Sequence, residues 1–144
     1  MEKVQNYKNH AQFVPLFHYF LFGLIILIFI GSITNLIKSA GTSAFLGSIL
    51  VLAISNSLFF FFAYCRIFPL KAQDRAIRAE ENLRHYVLTG KLFDPRLRIG
   101  QIIALRFAPD EEFIILAPKA VTENLSSSQI KQAIKNWKAD TYRV

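Results

Sequence analysis

Hydrophobic residues fill two long stretches near the N-terminus, residues 13–37 and 39–65, and Lys38 between them is the first charged residue after Lys8. A bilayer core about 30 Å thick needs about 20 apolar residues in a helix. The pattern therefore predicts two transmembrane helices, residues 13–37 and 43–65, joined by a short external turn at 38–42. A cleaved signal peptide is the alternative for the first stretch, but its apolar region exceeds the usual 7–15 residues or so.

Basic residues favour one orientation of this pair. The 17 Lys and Arg against 10 Asp and Glu give the chain a net charge of +7. Lys3, Lys8, Arg66 and Lys71 flank the outer ends of the two stretches, whereas the connection carries only Lys38. Because positively charged flanks are retained in the cytoplasm, we expect both termini to be cytoplasmic, with residues 1–12 as a short N-terminal segment.

The polar region after the second stretch begins with a predicted juxtamembrane helix. Phe68-Pro69 should break the second transmembrane helix, because proline lacks the backbone donor that a helix interior needs. A helical pattern then covers residues 70–89 and ends at Gly90, a typical C-terminal cap. Acid-before-base pairs four residues apart, such as Glu80 with Arg84 and Glu81 with His85, are expected to mark the solvated face of this helix.

The opposite face of the juxtamembrane helix carries small and apolar residues that recur three and four positions apart. Such spacing places side chains on one side of a helix, where a neighbouring helix packs. We interpret it as a partner-docking surface and call it the seam. It covers about two heptads, too few for a coiled coil by themselves, and consists of Ala72, Ala76, Ala79, Leu83 and Tyr86.

Three short helices are predicted to complete the chain. Asp94-Pro95 resembles a helix start, and the helices are expected at residues 99–108, 110–124 and 129–137. Pro118 should bend or break the second. In the last, Ile130, Ile134 and Trp137 should close a small core. The fold class expected is all-α: a two-helix transmembrane hairpin, a juxtamembrane helix and a small cytoplasmic helical bundle, the last two within residues 66–144.

Basic side chains near the membrane suggest contact with anionic lipid headgroups, which attract juxtamembrane Lys and Arg by about 1 kcal/mol each. One alternative is that the basic face of the last helix only contacts water. Another is a nucleic-acid-binding regulator, in which Gln129, Gln132 and Asn136 of the last helix would touch base edges. We expect lipid rather than nucleic acid, because the chain is already tethered beside lipid. The headgroup candidates are Arg66, Lys71, Arg75, Lys131, Lys135 and Lys138.

One polar residue in the second stretch has a special position. Asn56 would be costly in lipid, so we interpret it as closing a hydrogen bond between the two helices. Small residues, including Gly23, Gly31, Gly47 and Ser55, should let these helices approach closely or form a homo-oligomer. In the alternative, Asn56 faces the lumen of a small channel or transporter subunit built by oligomerisation.

No catalytic or cofactor chemistry is predicted. His10, His18 and His85 have no His or Cys partner at metal-ligand spacing, and Ser126-Ser127-Ser128 is better explained as a helix cap than as a nucleophile. No glycine-rich phosphate loop is present, and the single cysteine allows no intrachain disulfide. We therefore expect a non-enzymatic protein without metal, cofactor or small-molecule substrate, acting as a membrane anchor or as an accessory or scaffold subunit of a larger complex.

Several sequence runs resemble those of a known family. They are residues 5–10, 77–84 with Leu88-Thr89-Gly90, 101–108 with Asp110-Glu111-Glu112, and the ending that contains Trp137 and Arg143-Val144. The chain resembles an uncharacterised family of short bacterial membrane proteins, known only as a domain of unknown function. The resemblance implies a two-span anchor in a bacterial inner membrane with a cytoplasmic helical tail, and it brings no activity or site residue.

Overall fold

The computed structural model describes residues 5–7, 9 and 14–140, and its regular elements are helices. A π-helical segment, Leu16–Leu21, leads into α1. The described residues contain no strand, so the all-α expectation is confirmed. The chain divides into two compact units: Phe13–Pro69, and Leu70–Val144 together with Met1–Gln12. The helices are α1 Phe22–Ser39, α2 Phe45–Thr89, α3 Ile99–Leu105, α4 Asp110–Thr122 and α5 Ser127–Ala133.

Helix α2 corrects the predicted break at Phe68-Pro69, because it continues without interruption through Pro69. A proline removes one N–H donor, and the turns on either side keep their own hydrogen bonds. The predicted end of the helix is confirmed. Gly90 has a φ of +72°, and its N–H donates to the carbonyl of Tyr86 at 2.8 Å.

Serine pairs join α1 to the first half of α2. The Oγ atoms of Ser32 and Ser55 lie 2.9 Å apart, and those of Ser39 and Ser48 lie 2.6 Å apart. All four side chains are buried. The two serines of α1 are seven residues apart, as are the two of α2, and they pair in antiparallel order. The Phe17 ring, in the segment before α1, stacks on the Phe62 ring with their centroids 4.4 Å apart. A heptad repeat of serines therefore defines the contact face.

The expected close approach through glycine is wrong for this helix pair. A Cβ added at Gly23, Gly31 or Gly47 would meet nothing within 4 Å, so these residues lie away from the contact. Asn56 is also exposed, and the described residues contain no hydrogen-bond partner for its side chain. The interhelical hydrogen bond that we assigned to Asn56 is made by its neighbour Ser55, because Ser55 belongs to the heptad that faces α1.

The Leu70–Val144 unit has its own hydrophobic core, in which α3 packs against both α4 and α5. Its centre is formed by Ile102, Leu105, Phe107, Phe113 and Ile130, each at most 1% exposed. Ile134 is buried and Trp137 packs against the cluster, with its ring centroid 4.9 Å from that of Phe107. The predicted role of Ile130, Ile134 and Trp137 in closing this core is confirmed.

Three local predictions in this unit need correction. The Asp94-Pro95 sequence forms a turn, closed by the Leu97 N–H and the Asp94 carbonyl at 2.9 Å, and the helix begins only after Arg98. Helix α4 continues through Pro118, which is exposed. Helix α5 ends at Ala133 instead of 137, because the next backbone donors bind another side chain, described below.

Candidate functional site

Arg84 on α2 connects this helix to the core of the Leu70–Val144 unit. Its side chain is only 14% exposed. The Nε atom donates to Asp110 Oδ1 at 2.8 Å, one terminal nitrogen donates to Glu81 at 3.0 Å, and the other donates to the Ala108 carbonyl at 2.8 Å. The guanidinium carbon lies 4.3 Å from the Phe113 ring centroid, a cation–π distance. Charge-assisted bonds and ring contact therefore hold α2 against the start of α4.

This arrangement corrects part of the predicted solvated face of α2, although Glu80 is exposed as expected. Ile77 is 7% exposed and Glu81 and Arg84 are largely buried. The His85 ring lies 4.7 Å from Phe93 and 6.0 Å from Phe113. The acid-before-base face was expected to be solvated, and for Glu81, Arg84 and His85 that expectation is wrong. Long polar side chains can bury their apolar stems or rings while their polar ends still form hydrogen bonds and ion pairs.

The seam is the face of α2 that the unit leaves open. Leu83 is 62% exposed and Tyr86 is 52% exposed, and the three alanines of the seam are exposed as well. Because the buried side of α2 is set by Ile77, Glu81 and Arg84, the seam lies on another side of the helix. The structure thus brings the five predicted docking residues together on one accessible surface.

Glu112 holds the segment that follows α5. Its carboxylate oxygens accept the backbone N–H groups of Lys135 and Asn136 at 2.8 and 3.0 Å, and the Asn136 side-chain amide at 3.0 Å. Partial burial raises the pKa of Glu112, but these hydrogen bonds, together with the charge of Lys135, outweigh burial, so its pKa lies below the ordinary 4.5. The residue was expected only to complement the α4 dipole, and its contact across the unit explains why α5 ends early.

We expect the stability of this unit to fall in acid partly through Glu112. Because the folded-state pKa is lowered, the contribution of Glu112 is complete above its unfolded pKa and is lost as the pH falls through its folded pKa. Glu112→Gln should cost about 1 kcal/mol at pH 7 and flatten the dependence of unfolding free energy on pH below about 4.5. Urea titrations followed by the fluorescence of the single tryptophan, Trp137, measure this. The control, Glu111→Gln, should keep the wild-type pH dependence, and an equal flattening in both variants would refute the assignment.

The six headgroup candidates occupy different environments. The Lys131 ammonium lies 5.6 Å from the Phe107 ring centroid, and Lys138 lines a cavity of about 180 Å³ beside Arg106 and Asp140. Arg66 is half-buried. Lys71, Arg75, Lys135 and Lys138 are exposed. Lipid contact stays a prediction for all six, and the four exposed side chains are the most available for it.

The predicted base-reading side chains have structural partners. The Gln129 side-chain oxygen accepts from the backbone N–H of Ser126 at 2.8 Å, closing a capping box, and Asn136 binds Glu112. Helix α5 has only seven residues. The Tyr7 hydroxyl lies 2.9 Å from Ser128 Oγ, and hydrogen bonds to Ser128 and Gln132 lower its pKa. These contacts occupy side chains that a recognition helix would present to the major groove of DNA.

A cavity that sequence patterns did not indicate lies between the end of α2, the loop 90–97 and α4. Its volume is about 550 Å³, within the range of small-molecule sites. Its walls include Phe93, Leu97, Ile114 and Val121, with His85 at one side. Among the residues that the structure describes, no three His, Cys, Asp or Glu side chains are grouped to hold a metal ion. The cavity forms between two segments distant in sequence, residues 85–97 and 114–122, so no local signal could have revealed it.

Arg96, at the edge of this cavity, is already paired. Its Nε atom donates to Asp94 Oδ1 at 3.0 Å, and a terminal nitrogen donates to Oδ2 at 2.7 Å. This hydrogen bonding lowers the pKa of Asp94 to about 2 and raises that of Arg96. The guanidinium thus forms a bidentate ion pair with the Asp94 carboxylate, which stabilises the turn at Asp94-Pro95. Because the two charges are opposite, the pair adds little net charge to the cavity.

Within the part of the chain that the structure describes, two helices are long and apolar enough to cross a membrane: the segment Leu16–Ser39 and α2. No curated protein and no solved structure matches the chain. A family model does match it over residues 1–144, and its description is "Family of unknown function (DUF6526)". The expectation of an uncharacterised family is thereby confirmed, and since the match covers the whole sequence, the chain belongs to the DUF6526 family of unknown function.

Proposed function

We propose that this protein is a non-enzymatic membrane anchor in the bacterial inner membrane, which holds a small helical domain on the cytoplasmic side as a docking module for a larger assembly. The Leu16–Ser39 segment and the first half of α2 are the two spans of an antiparallel hairpin. The Leu70–Val144 unit is the docking module, and the seam is its contact surface.

The observation that carries this proposal is the exposure of the apolar helices. Only 11% of the most apolar window in each candidate span is buried, whereas the core helix of a soluble protein buries most of its apolar residues. A signal sequence could explain the first helix by its position, but it cannot explain the second. Two adjacent apolar helices with their side chains facing outward fit a lipid environment, in which backbone groups are satisfied within each helix.

Contacts within the Leu70–Val144 unit support placing both termini on one side. The backbone N–H of Asp140 donates to the Gln5 side chain at 2.8 Å, and Tyr7 lies beside Ser128. Residues before the first span thus share a compact unit with residues after the second. A chain that crosses a bilayer twice returns to the side from which it started, and the basic flanks assign that side to the cytoplasm.

Most polar side chains that could have suggested catalysis have structural partners. Asp110 pairs with Arg84, Glu112 binds backbone donors, and Gln101 donates to the carbonyls of Ala120 and Leu125 at 3.1 and 2.8 Å while only 3% exposed. Carboxylates and amides used in this way specify a rigid small domain. Rigidity and an open apolar seam suit a docking module.

Single-cysteine labelling tests the anchor. In a Cys65→Ala background, Ser43→Cys in the turn should react with a membrane-impermeant maleimide on intact spheroplasts. Ser127→Cys in the tail should react only after permeabilisation. Labelling of Ser127→Cys from outside, or release of the protein by alkaline carbonate, would overturn the proposal.

A further inference from the structure

We propose that a second copy of this chain covers the seam, so that two anchors pair through a parallel, in-register coiled coil over residues 72–86. The inference rests on the proposed function, because the anchor makes both copies insert in the same direction. It identifies the partner of the docking surface as the protein itself.

The spacing of the seam meets the requirement for such pairing. Its residues follow intervals of four, three, four and three, which are the a and d positions of a heptad repeat. All five are exposed, and Leu83 and Tyr86 leave more than half of their surface open. The described part of the chain therefore provides no cover for this face.

Charged residues beside the seam favour a second copy in parallel alignment. Arg75 and Glu80 occupy the g and e positions five residues apart, and both are exposed. In a parallel, in-register pair, g of one helix lies next to the following e of the other. Arg75 of each copy would therefore meet Glu80 of the partner subunit, and the symmetry of the dimer produces this pairing twice.

Small seam residues and membrane attachment make a short contact sufficient. Alanine at three of five positions lets the two backbones approach closely, with Leu83 and Tyr86 supplying the larger apolar area. Two heptads are too short to pair stably when free in solution. Attachment to one membrane raises the effective concentration of the second copy and removes the antiparallel alternative.

Disulfide trapping of the full-length protein in native membranes tests the inference. In the Cys65→Ala background, Ala79→Cys at a d position should form a covalent dimer under mild oxidation. The matched control is Arg78→Cys, one residue away on another side of α2, and it should stay monomeric. Equal cross-linking at both positions would indicate random collision and overturn the proposal, as would the absence of a dimer with Ala79→Cys.

Charge exchange identifies the partner as a second copy. Glu80→Arg should lower the yield of the Ala79→Cys dimer by roughly tenfold, because two exposed ion pairs become two like-charge contacts. Adding Arg75→Glu to Glu80→Arg restores opposite charges and should restore the yield. Only self-pairing predicts this rescue, so a double variant that stays as weak as the single one refutes the second copy. Correct Ser43 and Ser127 labelling without the dimer would refute this inference and leave the anchor standing.

Discussion

Arg84→Ala should destabilise the Leu70–Val144 unit by about 3 kcal/mol, because it removes one partner of a largely buried ionic cluster. Glu81 would lose its charged neighbour while only 12% exposed, and the Ala108 carbonyl would lose its side-chain donor. Urea unfolding of the full chain in mild detergent, followed by Trp137 fluorescence, measures the effect. With a denaturant slope of about 1 kcal/mol per molar urea for a unit of this size, the midpoint should fall by about 3 M.

Two companion variants separate this role from a general effect of charge. Arg78→Ala removes the same side chain from an exposed position of the same helix and should change the midpoint little. Arg84→Lys keeps the charge but loses the planar fork that reaches three acceptors, so it should recover less than half of the lost stability. Equal midpoints for Arg84→Ala and Arg78→Ala would contradict the assigned role of Arg84.

Phe113→Ala should cost about 3–5 kcal/mol, the range for removing a fully buried aromatic side chain. The ring is inaccessible to solvent and contacts Phe93 and His85 as well as Arg84. Its loss leaves a cavity where α2, the loop after it and α4 meet. The same fluorescence-detected urea titration should show a unit that is unfolded, or nearly so, before denaturant is added.

Ile115→Ala is the matched control for Phe113→Ala. Ile115 lies on the same helix but is 64% exposed, so its truncation should stay within about 0.5 kcal/mol of wild type. Arg84 and Phe113 are in contact, so the double variant should lose less than the sum of the single losses. Strict additivity would mean that the guanidinium-ring contact contributes nothing, and a stable Phe113→Ala protein would place the core elsewhere.

Local sequence signals located most elements correctly. Gly90 ends α2 as expected, since its positive φ suits glycine, and the acids at 110–112 open α4. Prolines were misleading. Pro69 and Pro118 lie inside continuous helices, because the loss of one donor is small beside the many hydrogen bonds and contacts that hold the rest of each helix.

The assignment of helix faces depended on information that local patterns lack. The seam and the polar face of α2 were both visible in the sequence, yet Glu81, Arg84 and His85 of the polar face pack on the domain and the seam stays open. Arg84 selects the packed face through Asp110 and Ala108, which lie 26 and 24 residues away. Likewise, Glu112 was visible as a helix-dipole acid, but its contact with Lys135 and Asn136 ends a helix that periodicity extended to 137.

The sequence by itself determined the all-helical class, the two apolar segments long enough to cross a membrane, and the three residues of the last segment that close the small core, Ile130, Ile134 and Trp137, because segment length, periodicity and the drive to bury apolar side chains act along the chain. Only the tertiary structure decided that serines rather than glycines or Asn56 join the first two helices, that Arg84 fastens α2 to α4, and that the seam is left exposed. Those outcomes depend on which side chains from distant segments satisfy one another's charges and hydrogen bonds, and that choice is made only when the segments pack.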